Sequence, residues 1–357
     1  MSSIDAAIYN EARLARKFSE AAGARRQLIF RKVFTSSEVL TLPAGHYDII
    51  AIGTGGSGGC AFGANYRATG GGGPAWARDW GKFAAPTPVT ITIGARALGV
   101  PAGSGTVNGN AGGTTSVTGI ANPITLTGAQ GGKAGGAGTK PSGGAGGTAS
   151  GGRVRANGGR GGNITTTSAD TKATGGGAVD LFLLGADRTR GGDIDSTSAN
   201  NQYTGGSGIG GCGGDMTGVT AGSSTGGGAG GDANDNSSAP ADCGPALNGV
   251  RDSGIAPTDV EVADVLLAYP GLYPVGSGSY GDAGSASGGG GGGNSSPYTP
   301  SSAVFGGSGG ANSSSNAYSG ESVRGGGSGG AAATSGTPST GHGGAAVCIV
   351  SVYAEAA

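Results

Sequence analysis

Apolar and polar residues alternate in short runs near both ends of this chain, while the long middle carries no steady period of two or of 3.6. Gln27–Thr35 is rich in β-branched and aromatic residues. Val39-Leu40-Thr41-Leu42 runs into the turn Pro43-Ala44-Gly45, and His46–Ile52 is strongly β-branched. Val89–Ile93 (VTITI), Ile124–Thr127 (ITLT) and Ala345–Tyr353 (AAVCIVSVY) predict further strands. The first and last of these lie at opposite ends of the sequence, so their pairing would close a small β domain around everything between them. Residues 3–22 read instead as a helix. Ser2 with Asp5 resembles a capping box, and Ile4, Ile8, Ala15, Phe18 and Ala22 fall close to a 3-4 spacing, interrupted by Glu11. A second short helix is expected at Thr258–Ala268, with Thr258 and Glu261 as its capping box and Pro270 beyond its end.

Composition changes this picture. Glycine accounts for 85 of 357 residues, against roughly 7% in ordinary proteins. Gly/Ser-rich chains are commonly flexible coil, yet strand-like runs lie between the glycine clusters, which Ala, Thr, Val, Tyr and Asn interrupt. Charged residues are only 12%, whereas disordered chains combine low hydrophobicity with high net charge. An ordered structure is therefore expected. The tracts fill an insertion of roughly 53–344, among them Gly131–Gly138, Gly143–Gly152, Gly205–Gly214, Gly226–Gly231, Gly288–Gly293 and Gly325–Gly330. Long structureless loops are rare in compact domains. The tracts are expected to pack as polyglycine-II helices, which have three residues per turn, about 3.1 Å rise and no internal hydrogen bonds. Fixing each residue costs about 1–2 kcal/mol of backbone entropy, so only a cooperative array of many tracts is sustainable. No strict Gly-X-Y register persists, which excludes collagen. Ala178–Leu184 (AVDLFLL) and the region around 255–275 are expected as loop insertions, near 178–200 and 255–275, covering the ends of the glycine core.

The net charge is −1, but it is unevenly placed. Within residues 1–32, Arg13, Arg16, Lys17, Arg25, Arg26, Arg31 and Lys32 face only Asp5, Glu11 and Glu20. Such asymmetry assigns the N-terminus a separate role: residues 1–26 as an anchoring or oligomerisation helix, residues 27–357 as a glycine-rich β domain. No run reaches the length of a membrane span, and Met1-Ser2-Ser3-Ile4-Asp5 lacks the basic start and apolar core of a secretory signal. Cys60, Cys212, Cys243 and Cys348 show no CxxC spacing and the two histidines, His46 and His342, lie far apart. Buried thiols are expected rather than a zinc site, with a Cys212–Cys243 disulfide as the alternative for that pair.

Several motifs invite a different chemistry. His46–Gly58 (HYDIIAIGTGGSG) leads a strand into Gly53-x-Gly55-x-x-Gly58, the spacing of a dinucleotide fingerprint, with Asp79 near the position of the ribose-binding acid. Gly59, Gly63 and Gly70–Gly73 interrupt the helix that should follow. Gly128–Lys133 fails the phosphate-loop pattern. Arg160-Gly161-Gly162, Arg190-Gly191-Gly192 and Arg324-Gly325-Gly326 match RGG boxes, but without interleaved aromatics or net positive charge they read as arginines ending glycine tracts and reaching solvent. Asp193 with Asp195, and Asp232 with Asp235, read as solvated loop carboxylates. No nucleophile–base pair emerges, so neither catalysis nor a cofactor is expected.

Phe34-Thr35-Ser36-Ser37, then Leu42-Pro43-Ala44-Gly45-His46-Tyr47-Asp48-Ile49-Ile50-Ala51-Ile52-Gly53, resembles the opening of the glycine-rich domain of tailed-phage tail and fibre proteins. Val89-Thr90-Ile91-Thr92-Ile93-Gly94-Ala95 is similar to its second strand. Gly112-Gly113-Thr114-Thr115-Ser116-Val117 and Leu126-Thr127-Gly128-Ala129-Gln130-Gly131-Gly132 resemble its next elements, and Gly341-His342-Gly343-Gly344-Ala345-Ala346-Val347-Cys348-Ile349-Val350 its closing strand. The resemblance covers about residues 34–353 in order and departs from the pattern at Ala95-Arg96-Ala97, where glycines are usual. It implies a polyglycine-II sandwich in a virion, assembled in a host cytoplasm, with loops between tracts contacting a cell-surface receptor. The N-terminus would join other tail proteins through Ile4, Ile8, Arg13, Arg16 and Phe18, with a homotrimer favoured. Aromatics supply contact area at low entropic cost, which nominates Trp76, Trp80, Tyr203, Tyr269, Tyr273, Tyr298 and Tyr318. The competing readings are a structural fibre or collar protein without a ligand, and an ice-binding stack, which would need a strict three-residue repeat.

Overall fold

A computed structural model of the chain describes residues 27–102, 105–167, 171–181, 183, 189–196, 202–207, 213, 215–218, 293–294, 307–313, 317–319 and 326–354. The described part is mostly β-strand and contains no helix. The expected helices at 3–22 and 258–268 lie outside the described residues, as do the expected insertion at 255–275 and Cys212 and Cys243.

Two five-stranded sheets form the β domain. The strands are β1 (Leu28–Phe34), β2 (Glu38–Leu42), β3 (Gly45–Ile52), β4 (Trp76–Phe83), β5 (Thr87–Thr92), β6 (Thr115–Thr118), β7 (Ile124–Leu126), β8 (Ala149–Ser150), β9 (Val154–Ala156) and β10 (Val347–Tyr353). The first sheet has the order β1-β10-β3-β4-β9 and the second β8-β7-β6-β5-β2. The strand that closes the chain thus sits between β1 and β3, antiparallel to both. Phe34 pairs with Cys348 and Ile50 with Ile349. Period-two alternation aims one face of each sheet inward. Tyr47, Ile49 and Ala51 of β3, with Cys348, Val350 and Val352 of β10, meet Val89, Ile91, Val117, Ile124 and Leu126 of the second sheet in one core. Full burial of a Leu or Ile contributes about 1.5–3 kcal/mol; Leu42, Ile91, Ile124 and Leu126 are all fully buried. β4 was not among the expected strands. Its sequence, WARDWGKF, puts charged residues at Arg78, Asp79 and Lys82 and so hides the alternation.

The other face of the first sheet is covered in part. Ile50, Ile52, Trp76, Val347 and Ile349 are buried there. The Trp76 indole N–H donates to the Asp180 carbonyl, and Val179 and Leu181 are buried. The stretch Ala178–Leu181 therefore lies against this sheet as well as continuing a glycine tract.

Between the strands, the glycine segments bond in a different way. In a strand, successive N–H groups point to two sides. Here Gly55 N donates to Gly344 O at 2.9 Å, Gly56 N to Gly72 O at 2.9 Å, and Ser57 N to Asn110 O at 3.0 Å: three consecutive donors, three different segments. Segment 70–73 behaves likewise. Gly71 donates to Ser328, Gly72 to Gln130 and Gly73 to Gly159, while Gly70, Gly71, Gly72 and Gly73 accept from Gly144, Gly177, Gly56 and Gly147. Buried backbone groups must be paired, and this arrangement pairs them on all sides of a segment rather than at two edges.

Such closeness excludes side chains. A Cβ on Gly71 would lie 2.2 Å from Gly56 O, and one on Gly56 would lie 2.0 Å from Gln130 O. Both obstacles are backbone atoms held by further hydrogen bonds and cannot swing aside. Backbone also blocks Gly55 and Gly58, whose Cβ atoms would lie 1.9 Å from Gly326 O and 2.0 Å from Gly329 O. The Gly53–Gly58 pattern is thus filled by neighbouring backbone, and the short strand Cys60–Phe62 follows it.

Substituting Gly71 by Ala should destabilise the fold by about 1–3 kcal/mol or more, the range for overpacking an interior. The comparison is Gly136→Ala, whose added Cβ would make only ordinary contact with Tyr66 at 3.4 Å, and which should stay within about 0.5 kcal/mol of the parent. Denaturant melts of the two variants check this.

Candidate functional site

Three ladders of side chains fix how the glycine segments sit against one another. The first uses serine in Gly-Gly-Ser-Gly-Gly. Ser328 Oγ accepts from Gly58 N at 2.7 Å, Ser308 Oγ from Gly329 N at 2.9 Å, and Ser57 Oγ from Asn110 N at 2.8 Å. The parallel strands Cys60–Phe62, Ala331–Ala333 and Ala311–Ser313 follow these serines side by side. The second ladder uses threonine. Thr174 Oγ1 accepts from Gly70 N at 3.1 Å and donates to Gly162 O at 2.6 Å, and Thr204 Oγ1 accepts from Gly175 N at 3.3 Å and donates to Gly192 O at 2.6 Å. Parallel strands Arg67–Ala68, Lys172–Ala173 and Gln202–Tyr203 precede these segments.

The third ladder is charged, and it corrects the reading of the RGG arginines as solvent-reaching and of Asp193 as a solvated carboxylate. Arg160 forks onto Asp193 with two bonds of 2.7 Å. Arg190 forks onto Asp215. The backbone joins in: Asn163 N donates to Asp193 at 2.7 Å and Asp193 N to Asp215 at 2.8 Å. Each aspartate therefore binds both the guanidinium and an amide of the preceding segment. Burial pushes the Asp193 carboxyl up, but Arg160, the Asn163 amide and Arg190 outweigh it and hold it below the usual carboxylate range. A repeat in the sequence marks this ladder: Arg160-Gly161-Gly162-Asn163-Ile164, Arg190-Gly191-Gly192-Asp193-Ile194 and Cys212-Gly213-Gly214-Asp215-Met216. Arg324 lies outside the described residues.

The nominated aromatics divide sharply. Trp76 is fully buried and Tyr203 is 7% exposed, so neither presents a surface to a ligand. Trp80 is 42% exposed and Tyr318 44%. Tyr269, Tyr273 and Tyr298 lie outside the described residues, as do Ile4, Ile8, Arg13, Arg16 and Phe18. Trp80 stands on the outer face of β4. The Arg78 guanidinium lies 5.6 Å and that of Arg153 5.4 Å from its ring, within cation–π range. Arg78 is itself held by a two-bond fork to Asp48, both at 2.9 Å, and Arg153 Nε donates to Trp80 O at 2.8 Å. The ring is thus fixed in place beside two cations with part of its surface open.

Beneath it, Asp79 turns inward and is fully buried. It accepts from the Tyr47 hydroxyl at 2.8 Å and from Asn122 Nδ2 at 2.9 Å. Arg153 Nε lies 3.6 Å away. Burial, reinforced by Asp79, pushes the Tyr47 phenol up to about 12 even though the Ala121 amide pulls the other way. Asp79 therefore braces the space between the sheets and is placed for no ligand. His342 Nδ1 accepts from Gly99 N at 2.8 Å, which ties it to the backbone of the neighbouring segment. Among the described residues, no cluster of three or more His, Cys, Asp or Glu side chains could hold a metal ion, and no helix is long and apolar enough to cross a membrane.

Cys60 and Cys348 are free, buried thiols, and burial pushes each up to about 12. Nothing in the comparisons places the chain in a group: no family model matches it, and no curated protein matches it.

Two expectations follow. Asp193→Asn should cost about 1.5–3 kcal/mol near neutral pH, the range for hydrogen bonds to charged groups. Because the folded carboxyl titrates below its unfolded value of about 3.9, the parent's advantage is complete above that value and disappears as the pH falls through the lower folded one. Denaturant melts across the acid range read this directly. In native protein, Cys60 and Cys348 should resist a thiol-specific reagent at pH 8 and react only after denaturant is added, which mass spectrometry of labelled peptides will show.

Proposed function

We propose that this chain is a tail-fibre or tail-tip protein of a tailed phage, with its glycine segments packed as polyglycine-II helices and its loops contacting the host cell surface. The observation that carries the reading is the threefold hydrogen bonding of consecutive residues, as at Gly55, Gly56 and Ser57. A period of three with no internal hydrogen bonds is the geometry of an extended polyproline-II-type helix, and it gives the resemblance along residues 34–353 a physical rationale. At the one departure, Ala95-Arg96-Ala97, the packing is kept by other means: Gly113 N donates to Ala95 O, Gly343 N to Ala97 O, and Arg96 Nε to Gly343 O.

In this reading residues 1–26 join the chain to other tail proteins as a trimer, the virion is its location, and it performs no catalysis. Trp80 and Tyr318 are the described aromatics with enough open surface to meet a receptor. A rigid ring loses little rotamer freedom on binding, and Trp80 is already held by Arg78 and Arg153. A structural fibre protein without a ligand would use the same glycine packing, so adsorption is the test that separates the two.

The purified full chain should bind saturably to envelopes of the host strain and block adsorption of the phage that carries it. Trp80→Ala and Tyr318→Ala, with melting curves near the parent's, should each be compared, and loss of blocking by at least one is expected, on the order of tenfold for an anchor worth about 1.4 kcal/mol. A correctly folded chain that neither binds nor blocks would leave the structural reading standing alone.

A further inference from the structure

The open surface of Trp80 has a chemistry set by what its neighbours have already engaged. Gly151 and Gly152, at φ +73° and +66°, turn the chain into Arg153, and an added Cβ on Gly151 would strike Pro123 O. The entry to Arg153 is therefore fixed. Arg153 N donates to Arg78 O at 2.8 Å, and Arg153 Nε to Trp80 O at 2.8 Å. A peptide strand laid along β4 at this point would find neither carbonyl open to it.

The carboxylates nearby are engaged too. Asp48 is forked by Arg78, and Asp79 is fully buried, where it accepts from Tyr47 and Asn122. Arg153 approaches Asp79 only through Nε, at 3.6 Å. Its two terminal nitrogens, which carry the rest of its N–H donors, have no hydrogen-bond partner among the described residues. Its side chain is 46% exposed. The Arg153 and Arg78 guanidiniums stand 5.4 and 5.6 Å from the centre of the Trp80 ring. Stacked carbon atoms lie roughly 3.5–4.0 Å apart, so neither guanidinium lies flat on the indole. A fixed aromatic ring with open surface thus stands beside a fixed guanidinium whose end-on fork is unused.

We propose that Trp80 and Arg153 form a binding site for a sugar that bears a carboxylate. The C–H face of a pyranose ring packs on the indole, whose own face is electrostatically negative. The carboxylate takes the two parallel N–H bonds offered by the end of Arg153. A neutral sugar fills the first half of this site alone. The inference names a ligand class for Trp80 as a host-surface contact and rests on that reading for its setting, while the binding itself is measured without a cell.

The chain has two tryptophans and Trp76 is fully buried, so a ligand that quenches fluorescence reports on Trp80. Methyl glucuronoside is titrated into the full chain at low ionic strength, with methyl glucoside and sodium acetate in parallel. Saturable quenching by the glucuronoside is expected, with a Kd on the order of 1 mM for so small a ligand. The glucoside, which lacks the charge, should bind about fivefold more weakly, the scale of an exposed ion pair. Acetate, which lacks the ring, should compete poorly. Arg153→Gln should abolish the difference between the two sugars, and Arg153→Lys, which keeps the charge without the fork, should retain part of it. Trp80→Ala, followed by saturation-transfer NMR, should lose both sugars. Should Arg153→Gln melt early, Arg153→Lys and the comparison of the three ligands decide. The proposal is overturned if the glucuronoside does not bind, if it binds no better than the glucoside or acetate, or if folded Arg153 variants keep the full difference. Blocked phage adsorption without sugar binding defeats this inference alone. Sugar binding by a chain that blocks no adsorption defeats the host-surface reading and leaves the site.

Discussion

The structure depends on one constraint: a glycine backbone buried on every side must find a partner for each N–H and each C=O. A β-sheet meets this demand at two edges and leaves its faces to side chains. Segment 70–73 has no side chains to cover its faces, and its neighbours bond to it around its whole circumference. The absence of Cβ atoms is what makes the approach possible, as the 2.2 Å separation between a Cβ on Gly71 and Gly56 O shows. Composition, packing and hydrogen bonding are therefore one fact seen at three levels. Glycine's large entropy loss on ordering is offset only when many segments order together.

A backbone without side chains also has little to hold it in register. Shifting one glycine segment along another would cost few contacts, just as register is weakly specified in Gly-rich strands. The three ladders answer this. A threonine hydroxyl replaces one amide acceptor at Thr174 and again at Thr204, and a serine does so at Ser328 and Ser308. The Arg160–Asp193 and Arg190–Asp215 forks add directional, charge-assisted bonds. A slip of one residue would break each of these at once. The few polar side chains within the array thus carry specificity, while the glycines carry packing.

How much of this was legible in the sequence follows from where period-two alternation survives. β2, β5 and β7 alternate buried and open residues, β3 and β10 are β-branched runs buried on both faces toward one end or throughout, and the ranges of these strands and of β1 read closely from the chain. β4 did not, because Arg78 is forked to Asp48 and Asp79 is buried against Tyr47 and Asn122, so polar residues fill positions where apolar ones mark a strand. The ladders were missed for a different reason. Arg-Gly-Gly at 160 and 190 recurs with Asn163-Ile164 and Asp193-Ile194 behind it, but each copy is short, and its spacing from the next copy is not constant. The aromatic candidates show the limit of residue type as a guide. Trp76 and Trp80 are four residues apart on the same face of one strand, yet the chain around Asp180 covers the first and leaves the second open.

The chain's closing strand links these parts. β10 lies between β1 and β3, so the β domain cannot be completed until the last residues return from the glycine region. Extending a closed loop adds only a logarithmic cost, about 0.6 kcal/mol for each doubling of its length. A sandwich closed by its terminal strands can therefore enclose a glycine region of varied extent without losing its own core. Successive copies of the threonine and serine ladders extend that region side by side, from Thr174 to Thr204 and from Ser57 to Ser328 to Ser308. Residues 55–59 begin the outward course and residues 326–344 complete the return, and the two runs bond to each other through Gly55 and Gly344 and through Gly58 and Ser328. The sandwich fixes where the glycine array begins, and that contact between the outgoing and returning runs lets the array hold the sandwich's last strand in place.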